Sequence, residues 1–181
     1  MKSMLKFYQL SFVDLFGVQR SKLVPAARLG DAGFAGFACY LKMAPTDGDL
    51  IAVPDMSTLT VLPWNREVGW LACDLFWEGK ELPHGPRNVL RRMGVDMWTG
   101  VECEFFLLQG RDVDALDRST KPCYDAHALM RRYDVIKELM EAMDSLGWGP
   151  YQADHEDANG QFEINWDFAP ALVTADRHVF F

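Results

Sequence analysis

Residues 155–167, His-Glu-Asp-Ala-Asn-Gly-Gln-Phe-Glu-Ile-Asn-Trp-Asp, carry the pattern that decides how the chain is read. Asn159-Gly160 signals a turn, because both residues tolerate positive φ. Beyond it, Phe162, Ile164 and Trp166 alternate with Glu163, Asn165 and Asp167. That is period two, a strand with one apolar face and one carboxylate-bearing face. Before the turn, Tyr151 to Glu156 reads as a second strand. A reversal at Asn159-Gly160 brings Glu156 back beside Glu163. Two carboxylates on one face repel each other unless a cation lies between them or one takes a proton. On this stretch alone the alternative is a solvated turn carrying ordinary surface acids.

The next informative run lies upstream, at Thr99 to Leu108, which is strongly apolar but contains Glu102-Cys103-Glu104. Strand spacing puts Glu102 and Glu104 on one face and Cys103 and Phe105 on the other. Acids in so apolar a strand need compensation if they are buried. An edge strand with its polar face in water would also satisfy the pattern. Two such acid pairs together point to a carboxylate-lined metal site. Oxygen-only ligands favour Mg²⁺ or Mn²⁺ over zinc.

These residues resemble a known family. Gly100-Val101-Glu102-Cys103-Glu104-Phe105-Phe106-Leu107 resembles the glutamine synthetase signature G-x-E-x-E-[FY]-F-L. His155-Glu156, followed by Gly160-Gln161-x-Glu163, resembles that family's H-E-x-x-x-G-Q-x-E signature. Near the start, Asp14-x-x-Gly17-x-x-Arg20-x-Lys22-x-x-Pro25 resembles the opening of its β-grasp domain. The resemblance implies an α+β fold. A β-grasp-like N-terminal domain is expected over 1–84. An incomplete antiparallel glutamine synthetase-type catalytic sheet with flanking helices is expected over 85–181.

The resemblance also implies a reaction, in which ATP phosphorylates the glutamate side chain and ammonia or a small amine displaces the phosphate. Mg²⁺ or Mn²⁺ is the implied cofactor and ATP the co-substrate. Matching positions imply Glu104, Glu156 and Glu163 as ligands of the metal that binds glutamate and the acyl phosphate. Glu102 is implied at the nucleotide-side metal. Tyr151 matches a nucleotide-contacting position, with a different residue type. His155 is expected behind the ligands rather than among them. Where many family members have Phe-Asp-Gly-Ser-Ser, this chain has Phe34-Ala35-Gly36-Phe37-Ala38. That variant resembles the GlnT-like, γ-glutamylmethylamide synthetase-like branch, which leaves the acceptor open between ammonia and a small alkylamine. A homo-oligomer with active sites between subunits is implied as well. The family's second-metal histidine, its glutamate- and ATP-binding arginines and its flap glutamate come from further along the chain, so a half-built site is expected. The alternative is a non-catalytic fragment or regulatory subunit that binds a divalent metal or co-assembles with full-length subunits.

Composition fits this frame. Of 181 residues, 49% are hydrophobic, enough to build a core. A net charge of −8 with no basic run speaks against nucleic-acid binding. No apolar stretch is long enough to span a membrane. Residues 1–6 lack the apolar centre of a signal peptide. Cys39, Cys73, Cys103 and Cys123 are scattered without C-x-x-C spacing, so reduced thiols and a cytoplasmic location are expected.

The remaining elements follow from pattern. Residues 5–29 predict a hairpin turning at Gly17-Val18-Gln19, followed by a short helix at 26–30. Strands are predicted at 33–38, 58–62 and 67–76. Pro86 opens a helix that Gly94 stops. Residues 109–122 predict a polar surface loop. A single helix is predicted from an Asp125 N-cap to Leu146, ended by Gly147, with Leu129, Tyr133, Ile136, Met140 and Met143 as its buried stripe. Phe105, Phe162 and Ile164 are expected to pack on that stripe. A last helix begins at Ala171. His84, His127 and His178 read as structural or exposed.

Overall fold

The computed structural model describes residues 5–40, 43–111 and 117–181. The start of the chain read for a leader (residues 1–4) and residues 112–116 of the expected surface loop lie outside the described residues.

Strands β1 (Phe7–Val13) and β2 (Gln19–Pro25) form the expected antiparallel hairpin. Asp14 builds its turn. Its carboxylate, 1% exposed, accepts from the Phe16 N–H at 2.8 Å, the Val18 N–H at 3.0 Å and Arg20 Nε at 2.7 Å. Gly17 takes φ +77°, a value that suits a residue without Cβ. After β3 (Ala32–Phe34) come β4 (Leu50–Pro54), β5 (Thr60–Leu62), β6 (Asn65–Trp77) and β7 (Lys80–Glu81). The strand predicted over 33–38 ends at Phe34. Ala38 N–H bonds the Ala35 carbonyl at 3.1 Å and folds the chain into a 3₁₀ turn at Gly36–Ala38.

The sheet runs β2-β1-β6-β4-β3, with β5 and β7 also paired to β6. β1 lies parallel to β6, and the other pairs are antiparallel. β6 is buried without a break from Val68 to Leu75, as a central strand covered on both faces should be. One face packs Leu10, Phe12, Phe34, Leu50 and Leu71 into the main core. The other packs Val68, Trp70 and Ala72 against Val179 and Phe180.

Helix α1 (Pro86–Met93) starts on its proline and ends on Gly94 at φ +59°, as predicted. Packing does not divide the chain at 84/85. One compact unit comprises Met1–Met97 with Pro170–Phe181, and the other is Trp98–Ala169. The reason is electrostatic as well as apolar. Arg87 on α1 binds Asp74 and Asp55 of the first sheet and Asp176 of the last helix.

In the second unit, β8 (Trp98–Thr99) and β9 (Glu102–Phe106) precede helices α2 (Ala126–Arg131) and α3 (Tyr133–Ser145). Strands β10 (Pro150–His155), β11 (Gln161–Trp166) and β12 (Ala169–Pro170) follow, and α4 (Ala171–Phe180) closes the described chain within the first unit. The sheet order is β10-β11-β9, all antiparallel. Asp125 caps α2, accepting from the His127 and Ala128 N–H groups at 2.8 and 3.1 Å. The single helix predicted over 125–146 is broken at Arg132, where φ −115° and ψ 17° leave the helical region. The Arg132 N–H instead bonds the Leu129 carbonyl at 3.0 Å, closing a tighter turn. Ile136 and Met143 of the predicted stripe are buried, whereas Tyr133 is exposed. α2 and α3 lie against β10, the strand flanking β11. No helix among the described residues is long and apolar enough to cross a membrane.

Candidate metal centre

The register of β10, β11 and β9 sorts every side chain in this sheet. Asp154 faces Glu163, which faces Glu104. One row along, Gln152 faces Asn165, which faces Glu102. Directly paired residues share a face, so these six polar groups line one side. Glu156 joins them, because its N–H continues the ladder to the Gln161 carbonyl at 2.9 Å. Ala153, His155, Phe162, Ile164, Cys103 and Phe105 occupy the opposite, apolar side. The turn between the strands closes through Gln161 N–H to the Ala158 carbonyl at 3.0 Å, with Gly160 at φ +75°.

On the polar face, carboxylate oxygens of Asp154, Glu156 and Glu163 all lie within 4.8 Å of one another. Glu163 is the buried member, 7% exposed. Its carboxyl is pushed up to about 6, first by burial, then by a hydrogen bond with Glu156 and by the charges of Asp154 and Glu156. Asp154 is raised by burial and by the Glu156 charge. None of the ion pairs among the described residues involves these three acids. The face therefore gathers negative charge without an internal counter-charge. An ion bound there would meet an all-oxygen donor set, which suits Mg²⁺ or Mn²⁺. The soft and nitrogen donors nearby, Cys103 and His155, belong to the other side of the sheet. The donor set fits the hard cation read from the sequence.

The residues singled out from sequence are distributed as follows. Glu156 and Glu163 meet as expected. Glu104 stands directly across from Glu163 on the same face, but its Oε2 accepts from Gln161 Nε2 at 2.5 Å and it is not part of the tight trio. Glu102 lines an open cleft of about 430 Å³ that it shares with Tyr151, Trp166 and Asp167. Glu102 and Tyr151 thus keep company away from the trio. His155 is fully buried, its ring edge-on to Phe162 at 5.4 Å and its Nε2 bonded to the Asp117 carboxylate. It lies on the side of the sheet opposite the acids.

Two residues escaped the sequence reading. Asp154 was legible in principle, since it lies two positions before Glu156 and strand alternation puts both on one face. Asp117 had no local signal; it sits in the polar connection, far along the chain from its partners.

Comparison with known proteins gives the family to which the chain belongs. The family described as glutamine synthetase, catalytic domain, matches residues 85–181. A glutamine synthetase of Rhizobium leguminosarum bv. phaseoli is 48% identical, covering 98% of this chain and 44% of that protein. The glutamate–methylamine ligase of Methyloversatilis universalis is 39% identical, covering 99% and 45%. Among solved structures, a GmaS/ADP complex superposes with a TM-score of 0.90 at 54% identity, over 99% of this chain and 45% of the other. A glutamine synthase homologue at 21% identity shares the fold, with a TM-score of 0.76 over 97% of this chain and 46% of the other. The chain belongs to the glutamine synthetase family. It spans less than half the length of these relatives.

Proposed function

We propose that this chain carries the cation-holding face of an ATP-dependent ligase that joins glutamate to ammonia or a small alkylamine through a γ-glutamyl phosphate. The convergence of Asp154, Glu156 and Glu163 within 4.8 Å, on a face without internal counter-charge, carries this reading. These three acids hold Mg²⁺ or Mn²⁺, with Glu104 at their side and Gln161 fixing its orientation. A cation bound there would neutralise charge on a transferring phosphoryl group. Glu102 and Tyr151 border the open cleft and serve the nucleotide side. Ala35, in the loop after β3, offers no carboxylate to attract a cationic amine. The likeness to a glutamate–methylamine ligase supports a small alkylamine as acceptor. The active protein is read as a cytoplasmic homo-oligomer with sites between subunits, without nucleic-acid or membrane partners.

Mn²⁺ titration followed by water-proton relaxation tests the reading. The chain should bind Mn²⁺, and a Glu104→Ala, Glu163→Ala double variant should bind it at least about tenfold more weakly, roughly 1.4 kcal/mol. Equal binding by the two proteins would remove the argument. In the complete enzyme, Ala35→Asp should shift the kcat/KM ratio toward ammonia and away from methylamine. An unchanged ratio would show that position 35 does not see the amine.

A further inference from the structure

We infer that Asp117 is a positioning residue that clamps the acidic hairpin in the geometry needed to hold a cation; this rests on the cation reading above. Asp117 is 5% exposed and its two oxygens collect four N–H donors. Oδ2 takes His155 Nε2 and the Gly160 N–H, the latter at 3.2 Å. Oδ1 takes the Ser119 N–H at 3.2 Å and Arg131 at 3.3 Å, while the Ser119 hydroxyl donates to Asp125 Oδ2. A single carboxylate therefore grips the end of one arm of the hairpin and the turn that leads into the other. His155 immediately precedes Glu156, and Gly160 closes the turn three residues before Glu163.

The neighbouring segment grips the same arm through its backbone. The Cys123 N–H donates to the Glu156 carbonyl at 2.9 Å and the Tyr124 N–H to the His155 carbonyl at 2.7 Å. Cys123 and Tyr124 both hold positive φ, at 31° and 63°, a conformation unusual for residues with side chains. Asn159 Nδ2 bonds the Ser119 carbonyl at 3.3 Å. Residues 117–124 thus form a brace along the hairpin, and Asp117 is its side-chain anchor. His155 Nδ1 is buried with no hydrogen-bond partner among the described residues, so Asp117 is the carboxylate that fixes the ring's hydrogen bonding and holds the proton on Nε2, while Phe162 packs against the ring. The acids and His155 lie on opposite sides of the sheet. Asp117 acts on Glu156 and Glu163 only through the backbone they share with His155 and Gly160.

The test compares wild type, Asp117→Asn and Arg131→Ala in the 181-residue chain. Mn²⁺ affinity is read by water-proton relaxation, and metal-free samples give the ring ¹⁵N shifts of His155 and the hydrogen exchange of the Gly160 amide. Asp117→Asn should weaken Mn²⁺ binding about 10- to 100-fold, the range seen when a group supporting a metal ligand is lost. It should also shift the His155 nitrogens and speed Gly160 exchange. Arg131→Ala removes an exposed partner of the same carboxylate and should leave Mn²⁺ affinity within about twofold, because no contact to the hairpin is lost. Equal Mn²⁺ affinity in wild type and Asp117→Asn would overturn the inference while leaving the cation reading intact. No Mn²⁺ binding by wild type would overturn both. If Asp117→Asn does not fold, wild type answers the question. Saturation with Mg²⁺ should protect the Gly160 amide and move the His155 signals, since coupling between two sites is reciprocal. Saturation that leaves both unchanged would overturn the inference.

Discussion

Each compact unit of this protein draws three carboxylates together, and the two clusters differ in what neutralises them. In the first, Arg87 is 12% exposed and reaches Asp55, Asp74 and Asp176 at 2.8, 2.8 and 2.9 Å. Asp55 is held below the usual range, because bonds from Ser57 and Arg87 outweigh its burial. Asp176, more deeply buried, is pushed up even with Arg87 beside it. In the second, Asp154, Glu156 and Glu163 crowd together without any such partner, and Glu163 rises to about 6. The number of acids is the same, so the count does not distinguish a scaffold from a site. The missing counter-charge does. The chain supplies a guanidinium where the acids hold helices to a sheet, and none at the face proposed above to hold a cation.

Replacing the internal cation should give the largest effect. Arg87→Met leaves Asp55 and Asp176 without a cation, while Asp74 keeps Arg91 at 2.6 Å, and it is expected to lower stability by about 3–5 kcal/mol, as breaking a buried ion pair does. Urea denaturation measures it. A loss under about 1 kcal/mol would mean the two clusters are not different in kind. Asp14 is an intermediate case, neutralised partly by turn amides and partly by Arg20. Asp14→Ala should remove about 1–3 kcal/mol, because it leaves two inward-facing N–H groups unpaired. Thermal melts at neutral pH would show this, and a change near zero would remove Asp14 from the comparison.

The smallest effect sharpens the contrast most. A raised carboxyl binds its proton more tightly in the folded than in the unfolded chain. Without metal, Glu163 therefore destabilises the fold as pH rises from its unfolded value, near 4.5, through about 6. Glu163→Gln should remove that part of the pH dependence, so the melting temperatures of wild type and variant should diverge across this window in favour of the variant. Mg²⁺ should raise the wild-type melting temperature above pH 6 and leave the variant nearly unmoved. Parallel curves in wild type and variant would show that Glu163 carries no unmet charge.

Much of this was legible in the sequence, and the limits have physical causes. Period-two alternation set the faces of β9 and β11, and the Asn159-Gly160 turn set their neighbour. Glu102, Glu104, Glu156 and Glu163 accordingly fall on one face. Alternation does not say how strands slide past one another. It was the observed register, Asp154 opposite Glu163, that brought Asp154 into the trio and left Glu104 beside Gln161. Asp117 depends on contacts 38 and 43 positions away, which no local pattern encodes. The continuous apolar stripe hid the break at Arg132, because the stripe persists on both sides of it. The division of the chain was also invisible, since Arg87 and Asp176 are 89 positions apart.

The discontinuous first unit sets an order of events during synthesis. Its sheet is made early, yet Phe180, which packs on Trp64 and Trp70 at 5.9 and 5.4 Å, is made only after the whole of Trp98–Ala169. The intervening unit, Trp98–Ala169, is complete before α4 has left the ribosome. Chains grow at about 5–20 residues per second and domains fold as units, so the hairpin bearing Glu156 and Glu163 can form while Trp70, buried in the finished fold, still faces solvent. For that interval the nascent protein has a finished acidic face and an unfinished aromatic one. The aromatic surface, rather than the charged one, is where a chaperone would find its hold.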